Sequence, residues 1–408
     1  MSEKRPIVLR NKKGNTILIE LLFPIDYDIK NEQKNFLLSS LHKTTKKYNT
    51  MDKFTKACRE KLIINIDTSL VTLKNKNYLS FDLIIPKEGI VDDYDMDDAI
   101  KFFYEYIFEP NADDDGYNAE YFNLEKNRFL DIINKNKISD MYYNAENILL
   151  SLIDPKEKYH LSYELEMANL NECDRFNTLN YYKDIINREY EMFIYGNVSS
   201  KVTKIIDKYF KNGKKVKVKE NTLKANKQKV KKYYETKYKF KQTIIYNYFR
   251  IKDYDKEKDF YYLRFLRKIL VFEKAYSIFD KLRLENNLVY DANVNGMATS
   301  GALLVSCGSL YQNKDVITKL VKECLEDIKD EKKLKKYQKE IIRNLKISKV
   351  RASDNYYYKF NKFKAEYFDL TSMDKDIKVY SEITTDEFIK FLNRIEFTST
   401  VVVRGCDD

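Results

Sequence analysis

One order of local patterns occurs twice along the chain. A helix pattern is followed by a strand pattern and then by a second, alternating strand pattern. These patterns occupy residues 54–62, 63–67 and 78–85, and again residues 278–288, 289–294 and 301–307. The spacing of roughly 210 to 225 residues is far too long for a solenoid repeat. The sequence therefore predicts two similar domains in tandem.

Helical segments and a closing strand follow in each half. The helical segments span residues 96–108 and 123–135, then 315–329 and 331–349, and strands that end in glycine span residues 190–196 and 398–405. Strands before and after packed helices are typical of an α+β fold. We predict two tandem homologous domains, residues 1–212 and 233–408, each a mainly antiparallel sheet covered by helices.

Residues 213–232 differ in composition from both halves. Residues 214–232 contain nine lysines and one acid, Glu220, with few large apolar side chains. This composition, at the point where the repeat requires a connection, predicts a basic linker. A polybasic contact with nucleic acid or with an acidic peptide is the alternative. No aromatic stacking motif accompanies the lysines, so nucleic acid is not the expected partner.

Composition indicates a globular protein of the cytoplasm. The chain has 408 residues, of which 43% are hydrophobic, enough for more than one core. Residues 1–14 are basic and lack the apolar run of a signal peptide. No stretch approaches the roughly 18 apolar residues of a membrane span, so no membrane partner is expected. The five scattered cysteines contain no C-x-x-C pair and predict reduced, structural thiols.

Histidine is scarce, and this limits metal chemistry. Only His42 and His160 occur, and neither belongs to an H-x-x-E-H or H-E-x-x-H run. A catalytic zinc ion needs about three protein ligands, usually including at least two histidines. We therefore expect no cofactor in this chain and no catalytic residue, and we interpret both histidines as structural or surface residues.

A motif in the second half carries a family resemblance. Residues 282–290 (LRLENNLVY) resemble the signature L-R-x-x-x-x-L-x-Y in the C-terminal half of pitrilysin/insulinase-type metallopeptidases, which include the mitochondrial processing peptidase and bacterial relatives. The resemblance implies that Arg283 and Tyr290 contact substrate. A guanidinium and a phenol can hydrogen-bond a substrate carbonyl and stabilise its oxyanion. From the residues alone, a helix-end arginine and a core tyrosine are the alternative.

Active members of that family carry H-x-x-E-H on a helix, with two histidines on zinc and the glutamate as general base. Alignment to this family places N-F-L-L-S, residues 35–39, on the motif. Asn35 and Ser39 stand at the two histidine positions and Leu38 at the glutamate position. The resemblance thus implies a degenerate zinc motif.

A distant glutamate ligand is also part of the family pattern. Residues 122–132 resemble the helix that supplies it, and Glu120 and Glu125 are the available carboxylates, with the register left open. Residues 190–208 resemble the strand, glycine and helix that close the family's first domain. The resemblance covers nearly the whole chain.

The resemblance implies a catalytically inactive subunit of a heterodimeric zinc metallopeptidase that processes unfolded peptides. A homologous subunit with H-x-x-E-H would hold the zinc, and the C-terminal domain of this chain would complete that subunit's site. The alternative is a non-proteolytic peptide- or protein-binding protein. A homodimeric enzyme with an unusual metal site, and RNA binding through residues 214–232, are further possibilities.

Overall fold

A computed structural model gives the fold and describes residues 6–153, 161–211, 213–220, 233–237, 242–271, 277–297 and 301–405. His160, Cys406 and linker residues 221–232 lie outside the described residues. Contacts group the described residues into two units. The first holds residues 6–135 and 161–220, and the second holds residues 136–153 and 233–405. This grouping differs from the expected division at residues 136–153, and it places residues 213–220 of the expected linker with the first unit.

The strands alternate with helices along the whole chain. They are β1 (Ile7–Arg10), β2 (Thr16–Ile25), β3 (Asn65–Leu73), β4 (Lys76–Pro86), β5 (Ala112–Asp113), β6 (Gly116–Tyr117), β7 (Glu191–Gly196), β8 (Tyr233–Lys237), β9 (Thr243–Ile251), β10 (Val289–Met297), β11 (Ala302–Ser309) and β12 (Ile395–Arg404).

The helices are α1 (Glu32–Leu41), α2 (Met51–Glu60), α3 (Met96–Phe108), α4 (Ala119–Ser139), α5 (Met141–Ile153), α6 (Tyr163–Asn171), α7 (Arg175–Ile186), α8 (Ser200–Tyr209), α9 (Lys256–Val271), α10 (Lys314–Asp327), α11 (Glu331–Ala352), α12 (Tyr356–Tyr367), α13 (Met373–Glu382) and α14 (Thr385–Leu392). Short 3-10 turns span Ile29–Asn31 and Tyr311–Asn313, and a π-helical turn spans Asp280–Glu285. Across the described ranges, none of these helices has the length and apolar character needed to cross a bilayer.

The two units contain sheets of the same topology. The first sheet has the order β3-β4-β2-β7-β1 and the second has the order β10-β11-β9-β12-β8. In each sheet the last pair, β7 with β1 and β12 with β8, is parallel, and the other pairs are antiparallel. The prediction of two tandem homologous α+β domains with mainly antiparallel sheets is confirmed.

Local patterns explain most element bounds. The predicted helix at residues 96–108 coincides with α3, whose first turn is capped by Asp95 through its contacts with the backbone N–H groups of Asp97 and Asp98. The predicted strand at residues 78–85 lies inside β4. In place of the helix expected at residues 278–288, the structure has a shorter π-helical turn, Asp280–Glu285.

Gly196 shows why the closing strand of the first unit ends in glycine. Its φ is +137°, and a Cβ atom there would lie 2.3 Å from the backbone carbonyl oxygen of Thr16. Any larger residue would force β7 away from β2, its neighbour in the sheet.

Helix α5 explains the assignment of residues 136–153. Its buried Ala145 and Leu149 pack on Ile244, Tyr246 and Leu304 of the second sheet. These strand residues lie on the opposite sheet face from Ile245 and Val305, which face the main core of that unit. Helix α5 therefore covers a sheet face that belongs to the other half of the sequence.

Candidate functional site

Helix α1 carries all three positions aligned with the zinc motif. It contacts strand β3 and helices α6 and α7 in the first unit. One side of the helix is buried, whereas Phe36 is 41% exposed on the other. The site positions are therefore fixed by a packed helix rather than by a loop.

Asn35 and Ser39 are one helical turn apart and are both engaged in hydrogen bonds. The Tyr181 hydroxyl donates to Asn35 Oδ1 at 3.0 Å, and Asn35 is buried. Burial raises the pKa of Tyr181 to about 12, so this donor keeps its proton at neutral pH. Ser39 Oγ donates to the backbone carbonyl of Phe36 at 2.7 Å, within its own helix.

Leu38 occupies the aligned position of the general base. Its side chain is fully buried in the main core of the first unit. A carboxylate at this position would leave water for an apolar environment, where the charged form is strongly disfavoured. The helix face that carries Leu38 thus serves packing.

His42 lies directly after α1 and is fully buried. Its Nδ1 is 2.8 Å from the Leu38 carbonyl oxygen, and its ring lies 4.4 Å from that of Tyr182 and 5.2 Å from that of Phe81. Burial lowers the pKa of His42 to about 4, so the ring is neutral at pH 7 and Nδ1 is the donor. His42 is therefore a structural residue that satisfies a carbonyl at the end of α1.

The two candidate glutamates on helix α4 differ in burial. Tyr121 donates its hydroxyl to the Ser40 carbonyl at 3.1 Å, which ties α4 to α1. Glu125, one turn after Tyr121, lies on the same helix face, is buried and pairs with Arg128 at 3.2 Å. Glu120 is exposed in the first turn of α4. Within the described ranges, no three His, Cys, Asp or Glu side chains cluster to form a metal site.

Arg283 and Tyr290 lie at the two ends of the segment that enters β10. Arg283 is half-buried, and its Nη1 donates to the Val289 carbonyl at 2.9 Å and to Asn287 Oδ1 at 3.1 Å. The guanidinium thus fixes the backbone immediately before Tyr290.

Tyr290 is the extra residue of a β-bulge. Val289 pairs with Ser309 and Asp291 pairs with Gly308, which leaves Tyr290 without a partner in the β10–β11 register. Its side chain is 58% exposed. A bulge reorients a side chain. Here it leaves the Tyr290 phenol accessible, next to the backbone that Arg283 holds.

Three residues near these sites had no signal in the sequence. Tyr181 and Asn35 are 146 residues apart in the chain, and Tyr121 meets the backbone of α1 across 81 residues. Tyr142 of α5 donates to Asp291 Oδ1 at 2.5 Å, beside the bulge, across 149 residues. No local pattern indicates such partners.

Comparisons with known proteins agree with this architecture. Residues 179–345 match the family model described as the peptidase M16 inactive domain. A conserved protein from Enterococcus faecalis V583 has a similar structure, with a TM-score of 0.83 and 17% identity over 98% of this chain and 96% of that chain. No curated protein matches the chain in sequence.

Two further structures extend the comparison. A peptidase M16 inactive domain from Pseudomonas fluorescens has a TM-score of 0.70 and 12% identity over 99% of this chain and 97% of that chain. Pitrilysin has a TM-score of 0.66 and 11% identity, and the match covers 100% of this chain but 43% of pitrilysin. Residues 179–345 thus match the peptidase M16 inactive domain, the fold of the described residues is similar to that of these M16 structures, and the sequence contains no H-x-x-E-H motif.

Proposed function

We propose that this chain is the noncatalytic subunit of a heterodimeric zinc metallopeptidase that processes unfolded peptides in the cytoplasm. The observation that carries the proposal is the chemistry of α1. At the positions that the motif alignment assigns to the zinc ligands and the base, α1 has an amide bonded to Tyr181, a serine bonded to its own helix and a core leucine. Zinc would be held by a homologous partner with H-x-x-E-H.

The match to pitrilysin covers all of this chain but 43% of pitrilysin. The proposed partner is a second chain with two similar domains. In the proposed dimer, that chain contributes the zinc site and this chain contributes Arg283 and Tyr290.

An edge strand next to α1 suits an extended peptide. Strand β3 ends the first sheet in the order of the described strands, and it contacts α1. The outer N–H and C=O groups of an edge strand can pair with an added strand, which binds backbone without requiring one sequence. This geometry supports unfolded peptides as the ligand class.

The role proposed for Tyr290 rests on its exposure. A phenol can donate to a carbonyl oxygen and strengthen that bond as negative charge develops. Arg283 positions the strand segment through the Val289 carbonyl, and its remaining donors would face substrate in the complex.

The decisive experiment combines cleavage and metal analysis. This chain, its H-x-x-E-H homologue from the same source, and the co-expressed pair are each tested on an unstructured fluorogenic peptide, with zinc measured on the same samples. We expect zinc in the homologue and full activity only in the pair. Zinc-dependent cleavage by this chain alone would contradict the proposal.

Point variants test the assigned contribution to the partner's site. Tyr290→Phe is expected to lower kcat of the pair about 10- to 100-fold without dissociating it, because one oxyanion donor is lost. Tyr357→Phe, an exposed tyrosine of the same unit, is the matched control. Arg283→Ala should also weaken cleavage in an intact pair. Unchanged cleavage in both site variants would remove this role.

A non-proteolytic peptide- or protein-binding function is the second candidate. It is favoured by β3, because strand addition at a sheet edge needs no metal. It predicts that the chain alone binds unfolded peptides and that no H-x-x-E-H homologue increases their cleavage. A gene for such a homologue next to this one would favour the first candidate.

A further inference from the structure

The second unit contains a cleft of about 1040 Å³ between α9 and α11. Its lining is strongly basic, with one acidic side chain, Glu340. The lining cations are Arg264, Arg267, Lys268, Lys336 and Arg343. An excess of this size on one concave surface makes an attractive field for negative charge.

Helical spacing brings these cations together. Arg264, Arg267 and Lys268 are three and four residues apart, so α9 presents them on one face. Lys336 and Arg343 are seven residues apart on α11, which also places them on one face. The cleft thus arises from two basic helix faces.

Most of this charge is not neutralised locally. Arg264 pairs with the buried Asp376 at 2.9 Å, and Arg267 Nε donates to the Val294 carbonyl at 3.0 Å. Across the described part of the chain, no carboxylate lies within 4.0 Å of the charged groups of Arg267, Lys268 or Arg343. These three cations are available to a ligand.

The pKa of Lys268 is lowered in this cleft, which shows that the surroundings disfavour its charged form. Burial lowers its pKa, Asp376 partly offsets that effect, and the neighbouring Arg264 and Arg267 lower the pKa further. A bound anion would relieve the repulsion among these groups.

Apolar side chains line the same cleft. Val271 is 53% exposed and Ile347 is 39% exposed, and both line the wall with Ile341 and Leu345. An inorganic anion would leave this apolar surface in water, whereas a peptide can cover it. Guanidinium groups bind carboxylates with two parallel hydrogen bonds, which also fixes their orientation.

We propose that the cleft between α9 and α11 binds an acidic peptide segment in which carboxylate and apolar side chains alternate. The carboxylates pair with Arg267, Lys268 and Arg343, and the apolar side chains pack on Val271 and Ile347. This site belongs to the isolated chain and needs neither zinc nor the partner proposed above, so its failure and that of the dimer proposal are distinguishable.

The test measures fluorescence anisotropy of labelled ten-residue peptides with the full chain. A peptide of alternating Glu and Leu is expected to bind, whereas alternating Lys and Leu is not, and alternating Glu and Ser should bind several-fold more weakly. Arg267→Glu with Arg343→Glu should weaken Glu-Leu binding about tenfold or more, because two charge-assisted contacts are lost. Val271→Ser with Ile347→Ser should weaken binding of Glu-Leu but not of Glu-Ser.

Lys378→Glu with Lys390→Glu is the matched control, since it makes the same charge change at exposed lysines of this unit outside the cleft lining. If the double charge reversal does not fold, Arg343→Gln replaces it. Equal loss in the control would contradict a defined site. Equal binding of Glu-Ser and Glu-Leu, with displacement by tripolyphosphate or single-stranded RNA, would overturn the peptide assignment in favour of a general anion site.

Discussion

At the scale of single residues, His42 stabilises the end of α1. Its Nδ1–H satisfies the Leu38 carbonyl, and aromatic rings surround the imidazole. His42 Nε2 is also buried, and the structure shows no hydrogen-bond partner for it among the described residues. Protonation would place a charge in this apolar environment, so the folded state favours the neutral ring.

This burial predicts a stability loss in acid. The unfolded chain takes up the His42 proton near its ordinary pKa of 6.5, whereas the folded chain does so only near 4. The unfolded state therefore binds more protons between these values, and the free energy of unfolding falls as pH decreases through this window. His42 should contribute a loss of roughly 2 to 3 kcal/mol between about pH 7.5 and pH 4.5.

His42→Asn provides the control, because its amide nitrogen can donate to the Leu38 carbonyl but does not titrate. Urea unfolding of both proteins at the two pH values gives the comparison. We expect the variant to lose less stability in acid than the original chain. An identical pH dependence would show that His42 does not titrate in this window.

At the scale of elements, α1 is committed to packing at the position aligned with the catalytic glutamate. Leu38 faces the core of the first unit, and Phe36, two residues earlier, is 41% exposed. A charged side chain at position 38 would therefore require a different packing of the helix.

Leu38→Glu is therefore expected to reduce the free energy of unfolding by about 3 kcal/mol or more, because it removes core contacts and buries an ionisable group. Phe36→Glu, a similar change on the exposed side of the same helix, should cost less than about 1 kcal/mol. Denaturant unfolding measures both. Equal costs would mean that the two positions share one environment.

Helix α5 lies in the first half of the sequence but packs on the sheet of the second unit. Leu149→Ala should cost about 2 to 5 kcal/mol and speed amide exchange in α5, β9 and β11, because it opens a cavity under the second sheet. Leu124→Ala, at a position that is 60% exposed on α4, is the control. Faster exchange in β2 and β4 instead would contradict the assignment of α5 to the second unit.

At the scale of the whole molecule, two units with one sheet order make up a chain that corresponds to 43% of pitrilysin. The duplicated architecture supplies two similar domains, and the match to the M16 inactive domain, residues 179–345, begins in the first unit and ends in the second. The heterodimer proposed above adds a second chain of this architecture, which would carry the zinc site.

The proposed heterodimer predicts that mixing this chain with its H-x-x-E-H homologue gives a 1:1 complex of roughly twice the 48.9 kDa of this chain. A stable interface of this kind buries about 1,600 Å² or more, so the complex should survive gel filtration. Light scattering after gel filtration measures the mass, with each chain alone as the control. Separate elution at micromolar concentration, or assembly of this chain only with itself, would contradict the heterodimer.

The fold class, the duplication and most strand and helix positions could be predicted from the amino-acid sequence. Alternation in β4 and helical spacing in α3 are local properties, because side-chain direction follows directly from backbone geometry. The motif at Arg283 and Tyr290 was equally local, and it carried the family resemblance.

Which distant residues contact one another became visible only in the folded chain. Asn35 contacts Tyr181, and Glu125 rather than Glu120 is buried. Helix α5 belongs to the second unit, and the basic faces of α9 and α11 line one cleft. These outcomes depend on contacts between segments far apart in the chain. Such contacts are set by how apolar faces fill a shared core, which no local pattern specifies.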